Sequence, residues 1–153
     1  METGRTKGQF TFRTAAVFFF ISALFELLAA GTPVPLFGAI REGAGAMAYH
    51  LVYAVLFVAL GLGLWAAKSW GLALIVAGVA LYTLDRVQLL LSKPAMDAVI
   101  TQLQEQLQAS MPGIEKAMVA QAFVLLIVLF VLGWWGFALY AWWRREYFQG
   151  GKT

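Results

Sequence analysis

Four apolar stretches, each about as long as a lipid bilayer is thick, constrain this chain more than any other feature of its sequence. A helix needs about 20 apolar residues to cross a hydrocarbon core about 30 Å thick. The stretches cover residues 14–31, 47–67, 70–91 and 119–143, and only Lys68 and Ser69 separate the second from the third. We therefore expect one domain, 1–153, forming an all-α integral membrane protein with a four-transmembrane-helix bundle.

The composition supports this class and excludes others. Hydrophobic residues make up 61% of the 153 residues and charged residues 12%, against about 45–50% and about 25% in soluble domains. The chain has no cysteine, which excludes a disulfide framework and cysteine-ligated metal. Its one histidine, His50, excludes a haem held by two histidines of one chain. We expect no metal and no cofactor. The net charge of +3 forms no basic face, so we expect no nucleic-acid partner.

The distribution of Lys and Arg predicts the orientation, because cytoplasmic loops carry the excess of these residues. Four spans put both tails and the turn at Lys68 on one side. That side holds Arg5, Lys7, Arg13, Lys68, Arg144, Arg145 and Lys152, and the other holds Arg41, Lys93 and Lys116, with Arg86 near a helix end. We expect both termini in the cytoplasm. The abundance of Ala, Gly and Leu without Cys suggests a bacterial inner membrane.

The first span has an alternative interpretation as a cleaved signal peptide. Its basic start, its apolar run over 14–25 and the small residues at 29–31 resemble that pattern. Glu26 interrupts the end of the run, so we expect the segment to remain a span.

The two outer segments differ in pattern. The segment 32–46 contains Pro33, Pro35 and several glycines, which argue against a long regular helix. In 94–110 an apolar stripe recurs at steps of three or four residues and predicts an amphipathic extramembrane helix between the third and fourth spans. The stripe consists of Met96, Ile100, Leu103 and Leu107. This helix caps its own bundle or docks onto a partner. It lacks the basic polar face of a membrane-surface helix, so lying on anionic lipid is the weakest of the three options.

Polar residues within the spans are candidates for a ligand site. At a rise of about 1.5 Å per residue, they fall in the outer half of the bundle: Glu26, His50, Tyr82, Asp85 and Arg86. Intramembrane ionisable groups usually face a bundle interior and mark function. Each residue also has an alternative, structural interpretation. In these alternatives Arg86 reaches the headgroups, Asp85 pairs with Arg86 or Lys93, and His50 is interfacial. Glu26 is either neutral or paired with Arg86 or Arg41.

Three functions remain open. No phosphate-binding loop and no nucleophile elbow is present, so the first is a non-enzymatic accessory or assembly subunit of a membrane complex. The second is a protein that binds or transports a small molecule or lipid through the outer polar pocket, and the third is an enzyme that uses the same groups. Besides the lipid bilayer, we expect a membrane-protein partner or a second copy. The layout of the outer loops resembles that of tetraspanins, whose large loop is braced by cysteines that this chain lacks.

Overall fold

The computed structural model describes residues 8–149 and is 80% helical. Its elements in chain order are α1 (Gln9–Leu28), β1 (Val34–Leu36), β2 (Ala39–Arg41), α2 (Ala44–Trp65), α3 (Ser69–Leu91), α4 (Lys93–Gln108), α5 (Lys116–Trp143) and a short 3-10 helix (Arg145–Gln149). By length and composition, α1, α2, α3 and α5 could each cross a membrane. The basic residues Arg5, Lys7 and Lys152, which contribute to the predicted orientation, lie outside the described residues.

The long helices pack in a simple order. Helix α2 lies between α1 and α3, and α5 packs against α3 and α4. Helices α1 and α5 meet through large aromatic rings, such as those of Phe19 and Trp134, whose centroids are 5.4 Å apart. We call the end of the bundle that carries the α2–α3 turn the turn end, and the opposite end, which carries β1 and β2, the hairpin end.

The core of the bundle lies in the half nearer the turn end. Its fully buried side chains come from all four long helices and include Phe12, Leu60, Leu64, Ile75, Val79 and Ala141. The chain after α5 joins this core, because Tyr147 and Phe148 are both buried. The ring of Tyr147 stacks on that of Phe12 at 4.7 Å, and its hydroxyl donates to the Leu64 carbonyl oxygen at 2.7 Å. The 3-10 helix therefore closes the turn end.

Helix α4 packs part of its apolar stripe on its own protein. Ser92 caps the helix, since its Oγ accepts a bond from the Ala95 amide at 3.4 Å. Ile100 is buried, and Met96 packs against a cluster of Leu89, Ala95 and Ile127. The far end of α4 is open: Leu107, the last residue of the stripe, is 36% exposed, and Met111, which follows the helix, is 58% exposed. The packed half of the stripe favours the interpretation that α4 caps its own bundle. For the open half, docking onto a partner stays a prediction.

The segment between α1 and α2 contains a hairpin that the proline and glycine content did not predict. Strands β1 and β2 pair antiparallel, with Val34 opposite Arg41 and Leu36 opposite Ala39. The two turn residues, Phe37 and Gly38, have φ of 50° and 77°. Two-residue hairpin turns need positive φ because this backbone matches the twist of the strands. Glycine adopts it freely, whereas an aromatic residue there is strained.

Candidate functional site

Polar side chains from α1, α2 and α3 gather at the hairpin end in two neighbouring clusters. The first joins α1 to α2. His50 Nδ1 lies 2.7 Å from Glu26 Oε2, and His50 Nε2 lies 3.2 Å from Thr32 Oγ1 and 3.3 Å from the Thr32 carbonyl oxygen. The imidazole is 6% exposed as a residue, and the Glu26 side chain is 24% exposed. This cluster fixes the chain as it leaves α1.

Both ring nitrogens of His50 have partners, and the donor and acceptor roles depend on the tautomer of the ring. The Thr32 hydroxyl lies within reach of two acceptors, because it also contacts the Ala29 carbonyl oxygen at 2.8 Å. The cluster therefore joins the end of α1, the residues that follow it and the start of α2 through one buried imidazole.

The second cluster joins α2 to α3. Asp85 Oδ2 accepts a bond from the Tyr49 hydroxyl at 3.1 Å and contacts Arg86 Nη2 at 3.1 Å. The guanidinium of Arg86 lies over the Tyr82 ring, 5.1 Å from its centroid. Asp85 is buried, with 9% of its surface exposed. Its charge is therefore compensated within the protein, as buried charges require.

A cavity of about 520 Å³ lies beside the second cluster, between α2, α3 and the β-hairpin. Small-molecule sites commonly have volumes of about 300–1,000 Å³. The lining is mostly apolar, with a few polar groups at one end: Leu36, Phe37, Gly45, Ala48, Tyr49, Val52, Tyr53, Leu81, Leu84, Asp85 and Gln88. The exposed rim residues Val52 and Leu84 lie on the apolar outer faces of α2 and α3. The cavity is therefore open toward the surface that lipid would cover.

Gln88 ties the hairpin to the cavity. Its Oε1 accepts a bond from the Phe37 amide at 2.9 Å, and its Nε2 donates to the Pro35 carbonyl oxygen at 3.0 Å. Both bonds go to the backbone on either side of Leu36, at the start of the hairpin turn. They hold Leu36 and the strained Phe37 against the cavity, so the hairpin forms part of its wall.

Tyr53 contributes its ring to the cavity lining. The residue is 6% exposed and lies beside Tyr49, with ring centroids 4.7 Å apart. Its hydroxyl has almost no accessible surface, so it does not face the open volume of the cavity. It makes no well-oriented hydrogen bond among residues 8–149, and the Tyr49 hydroxyl is the polar group beside it.

No protein-family model, no curated protein and no solved structure matches this chain. Function must therefore be argued from the chemistry of the site.

The five residues predicted to form the site divide between the two clusters. Glu26 and His50 are together, but Glu26 meets neither Arg86 nor Arg41, because Arg86 pairs with its neighbour Asp85. Tyr82 lies beneath Arg86, and its ring is 6.0 Å from that of Trp134 on α5, away from the cavity lining.

Sequence reasoning missed Tyr49, Tyr53 and Gln88. Tyr53 follows His50 by three residues and Gln88 follows Asp85 by three, so each shares a helix face with a predicted site residue. That spacing could have identified both.

The arrangement is suited to binding and offers little for catalysis. Both ring nitrogens of His50 and the Asp85 Oδ2 atom are already bonded within the protein. No group of three potential metal ligands occurs within residues 8–149. Both bonds that the Asp85 side chain forms within residues 8–149 go to Oδ2, which leaves Oδ1 able to accept a further bond at the cavity.

Proposed function

We propose that this chain is a four-span protein of a bacterial inner membrane, with cytoplasmic termini, that binds a small molecule or lipid at its outer face. Helices α1, α2, α3 and α5 would span the bilayer. The turn end would then face the cytoplasm and the hairpin end the outside. The cavity would open into the outer leaflet, with α4 lying outside the hydrocarbon core between the third and fourth spans.

The observation that carries the proposal is the cavity itself. It combines a volume suited to a small molecule, an apolar lining and a few polar groups at one end, which is the usual composition of a ligand site. Intramembrane ionisable residues, here Asp85 and Arg86, commonly mark ligand pathways.

A tryptophan scan on one face of α2 tests the proposal. Val52 lines the cavity and is 58% exposed, whereas Val55 is 69% exposed and lies outside the lining. Val52→Trp should fill the cavity, and Val55→Trp adds the same ring to the same helix elsewhere. Native mass spectrometry of protein extracted gently from host membranes should show an added mass of a few hundred daltons. That mass should be lost in Val52→Trp and kept in Val55→Trp.

Two results would count against the binding site. If the wild-type protein carries no such mass under conditions that preserve bound lipid, the cavity does not hold a resident ligand. If both tryptophan variants carry it equally, the ligand binds elsewhere.

A second candidate, an assembly subunit, is supported by the open end of the α4 stripe. Leu107 and Met111 are exposed beyond the packed half of α4, and an amphipathic helix with an uncovered apolar face can seat a partner. Leu107→Glu should then release a co-purifying protein or dissociate a homo-oligomer while leaving the melting temperature unchanged. An exposed polar position on the same helix, as in Gln106→Glu, is the control. If neither variant changes the mass of the complex, the docking interpretation is wrong.

A further inference from the structure

The polar side chains that line the cavity differ in how much hydrogen-bonding capacity they have left. Four of the lining residues carry a polar side chain: Tyr49, Tyr53, Asp85 and Gln88. The Tyr49 hydroxyl donates its hydrogen to Asp85, and the Gln88 amide bonds through both its oxygen and its nitrogen to the hairpin backbone. The Tyr53 hydroxyl has almost no accessible surface. The bonding of Asp85 therefore determines what the polar end of the cavity offers to a ligand.

Asp85 has one side-chain oxygen left to accept a bond. Arg86 Nη2 and the Tyr49 hydroxyl each lie 3.1 Å from Oδ2, and no bond to Oδ1 occurs within residues 8–149. In an ion pair with Arg86 the side chain is a carboxylate, whose oxygens accept hydrogen bonds and cannot donate them. Because Asp85 is 9% exposed and lines the cavity, a molecule in the cavity is placed to donate to Oδ1. Arg86 itself does not line the cavity.

An exposed carboxylate oxygen in an apolar lining selects the head of a ligand. A head that can only accept, such as a ketone or an ester, would place two acceptors against each other with no hydrogen between them. An anionic head would add charge repulsion at short range. A hydrogen bond to a charged group is worth more than one between neutral groups, and leaving it unmade in a buried site is costly. The site therefore favours a head that carries an N–H or O–H group.

We infer that the ligand is an amphiphile of the membrane whose head is a hydrogen-bond donor, an amine or an alcohol, that bonds to Asp85 Oδ1. This inference rests on the proposed function and specifies the head of its ligand. The apolar body occupies the space between α2 and α3, against Val52 and Leu81. An amine and an alcohol share the required chemistry, and a protonated amine forms the stronger bond, because hydrogen bonds between ionised groups are about twice as strong as neutral ones.

A matched set of photoreactive probes tests the inference. Three probes share one ten-carbon chain with a diazirine and differ in the head: a primary ammonium, an alcohol and a methyl ketone, which can only accept. The protein is placed in nanodiscs of phosphatidylcholine, the amount of each probe in the bilayer is measured, and labelling is mapped by mass spectrometry to residues 48–53 and 81–88. For the same membrane concentration, at least one donor probe should label these segments about tenfold or more above the ketone, the effect of one hydrogen bond to a charged group. The ratio of ammonium to alcohol labelling then distinguishes a charged head from a neutral one.

Asp85→Asn connects the preference to the proposed contact. Both protein donors at this side chain bond to Oδ2, so asparagine keeps its carbonyl oxygen there and places its NH₂ group at the Oδ1 position, toward the cavity. The acceptor that the ligand meets then becomes a donor. The donor-to-ketone labelling ratio should fall about tenfold or more, because the ketone gains a bond and the donor head loses its acceptor. Asp97→Asn makes the same chemical change on α4, where the side chain is 74% exposed and outside the cavity lining, and should keep the wild-type ratio.

The outcomes separate this inference from the proposed function. A ketone that labels the wild type as strongly as both donor probes, or a donor-to-ketone ratio that Asp85→Asn leaves unchanged, overturns the donor head while leaving the cavity as a binding site. If Asp85→Asn does not fold, the wild-type ratio decides alone. Absence of labelling at both segments with all three probes overturns the proposed function, and with it the inference.

Discussion

The contact between Gly63 and Gly71 at the turn end allows a quantitative test of how α2 and α3 pack. A Cβ atom built on Gly71 would lie 2.9 Å from both the carbonyl carbon and the carbonyl oxygen of Gly63. Carbon atoms prefer separations of about 3.5–4.0 Å, so Gly71→Ala forces the two backbones apart by roughly 1 Å. The Gly63 carbonyl also accepts the Lys68 amide at 3.0 Å, which holds the turn, so the wedge strains the turn as well.

The expected cost follows from two opposing effects. Overpacking of this kind typically costs about 1–3 kcal/mol, and replacing a helical glycine by alanine returns about 0.5–1 kcal/mol of backbone entropy. Gly71→Ala should therefore lower the free energy of unfolding by up to about 2.5 kcal/mol, with a midpoint of about 1 kcal/mol. Gly136→Ala is the matched control, because a Cβ there meets nothing within 4 Å. That variant should be as stable as the wild type or more stable.

Equilibrium unfolding in lipid bicelles, followed by steric trapping, measures both variants. Since α2 and α3 also form two walls of the cavity, Gly71→Ala should reduce the co-purifying ligand mass, whereas Gly136→Ala should not. If Gly71→Ala stabilises the protein as much as Gly136→Ala does, α2 and α3 are not in backbone contact at the turn, and the close approach of Gly63 to Gly71 is wrong.

Three further predictions address the hairpin, the 3-10 helix and the first polar cluster. Asparagine adopts the positive φ of position 37 more easily than phenylalanine does. Phe37→Asn should therefore raise the melting temperature and lower the co-purifying ligand mass. A drop in both would contradict the strain argument. Tyr147→Phe removes a buried hydrogen bond and should cost about 0.5–1.5 kcal/mol in an unfolding titration. Burial raises the pKa of Tyr147 above 10.0, so its hydroxyl stabilises the fold fully below pH 10. That stabilisation is lost as pH rises through the raised pKa, and Tyr147→Phe should flatten this alkaline loss. In a double-mutant cycle, Glu26→Ala and His50→Ala should couple by about 0.6–1.7 kcal/mol, and strictly additive costs would show that the pair does not form.

The positions of the long helices along the chain were predictable from the sequence, but the contacts between the helices were not. Length and hydropathy identify α1, α2, α3 and α5 without any knowledge of packing, because each apolar stretch is about as long as the bilayer requires. Height along a helix also follows from the rise per residue, so the polar groups could be placed near one end of the bundle. Which groups pair depends on the rotation of each helix and the order of the bundle. For that reason the sequence leaves Glu26 either neutral or paired with Arg86 or Arg41, whereas its partner in the structure is His50.

The hairpin and the 3-10 helix were missed for a different reason. Strands β1 and β2 are three residues each and include Pro35, so neither carries an alternating pattern long enough to recognise. Tyr147 and Phe148 follow two arginines at the end of a span, where aromatic residues normally lie at the membrane interface. Their burial depends on the chain turning back onto the core after α5, a tertiary contact that no local pattern contains.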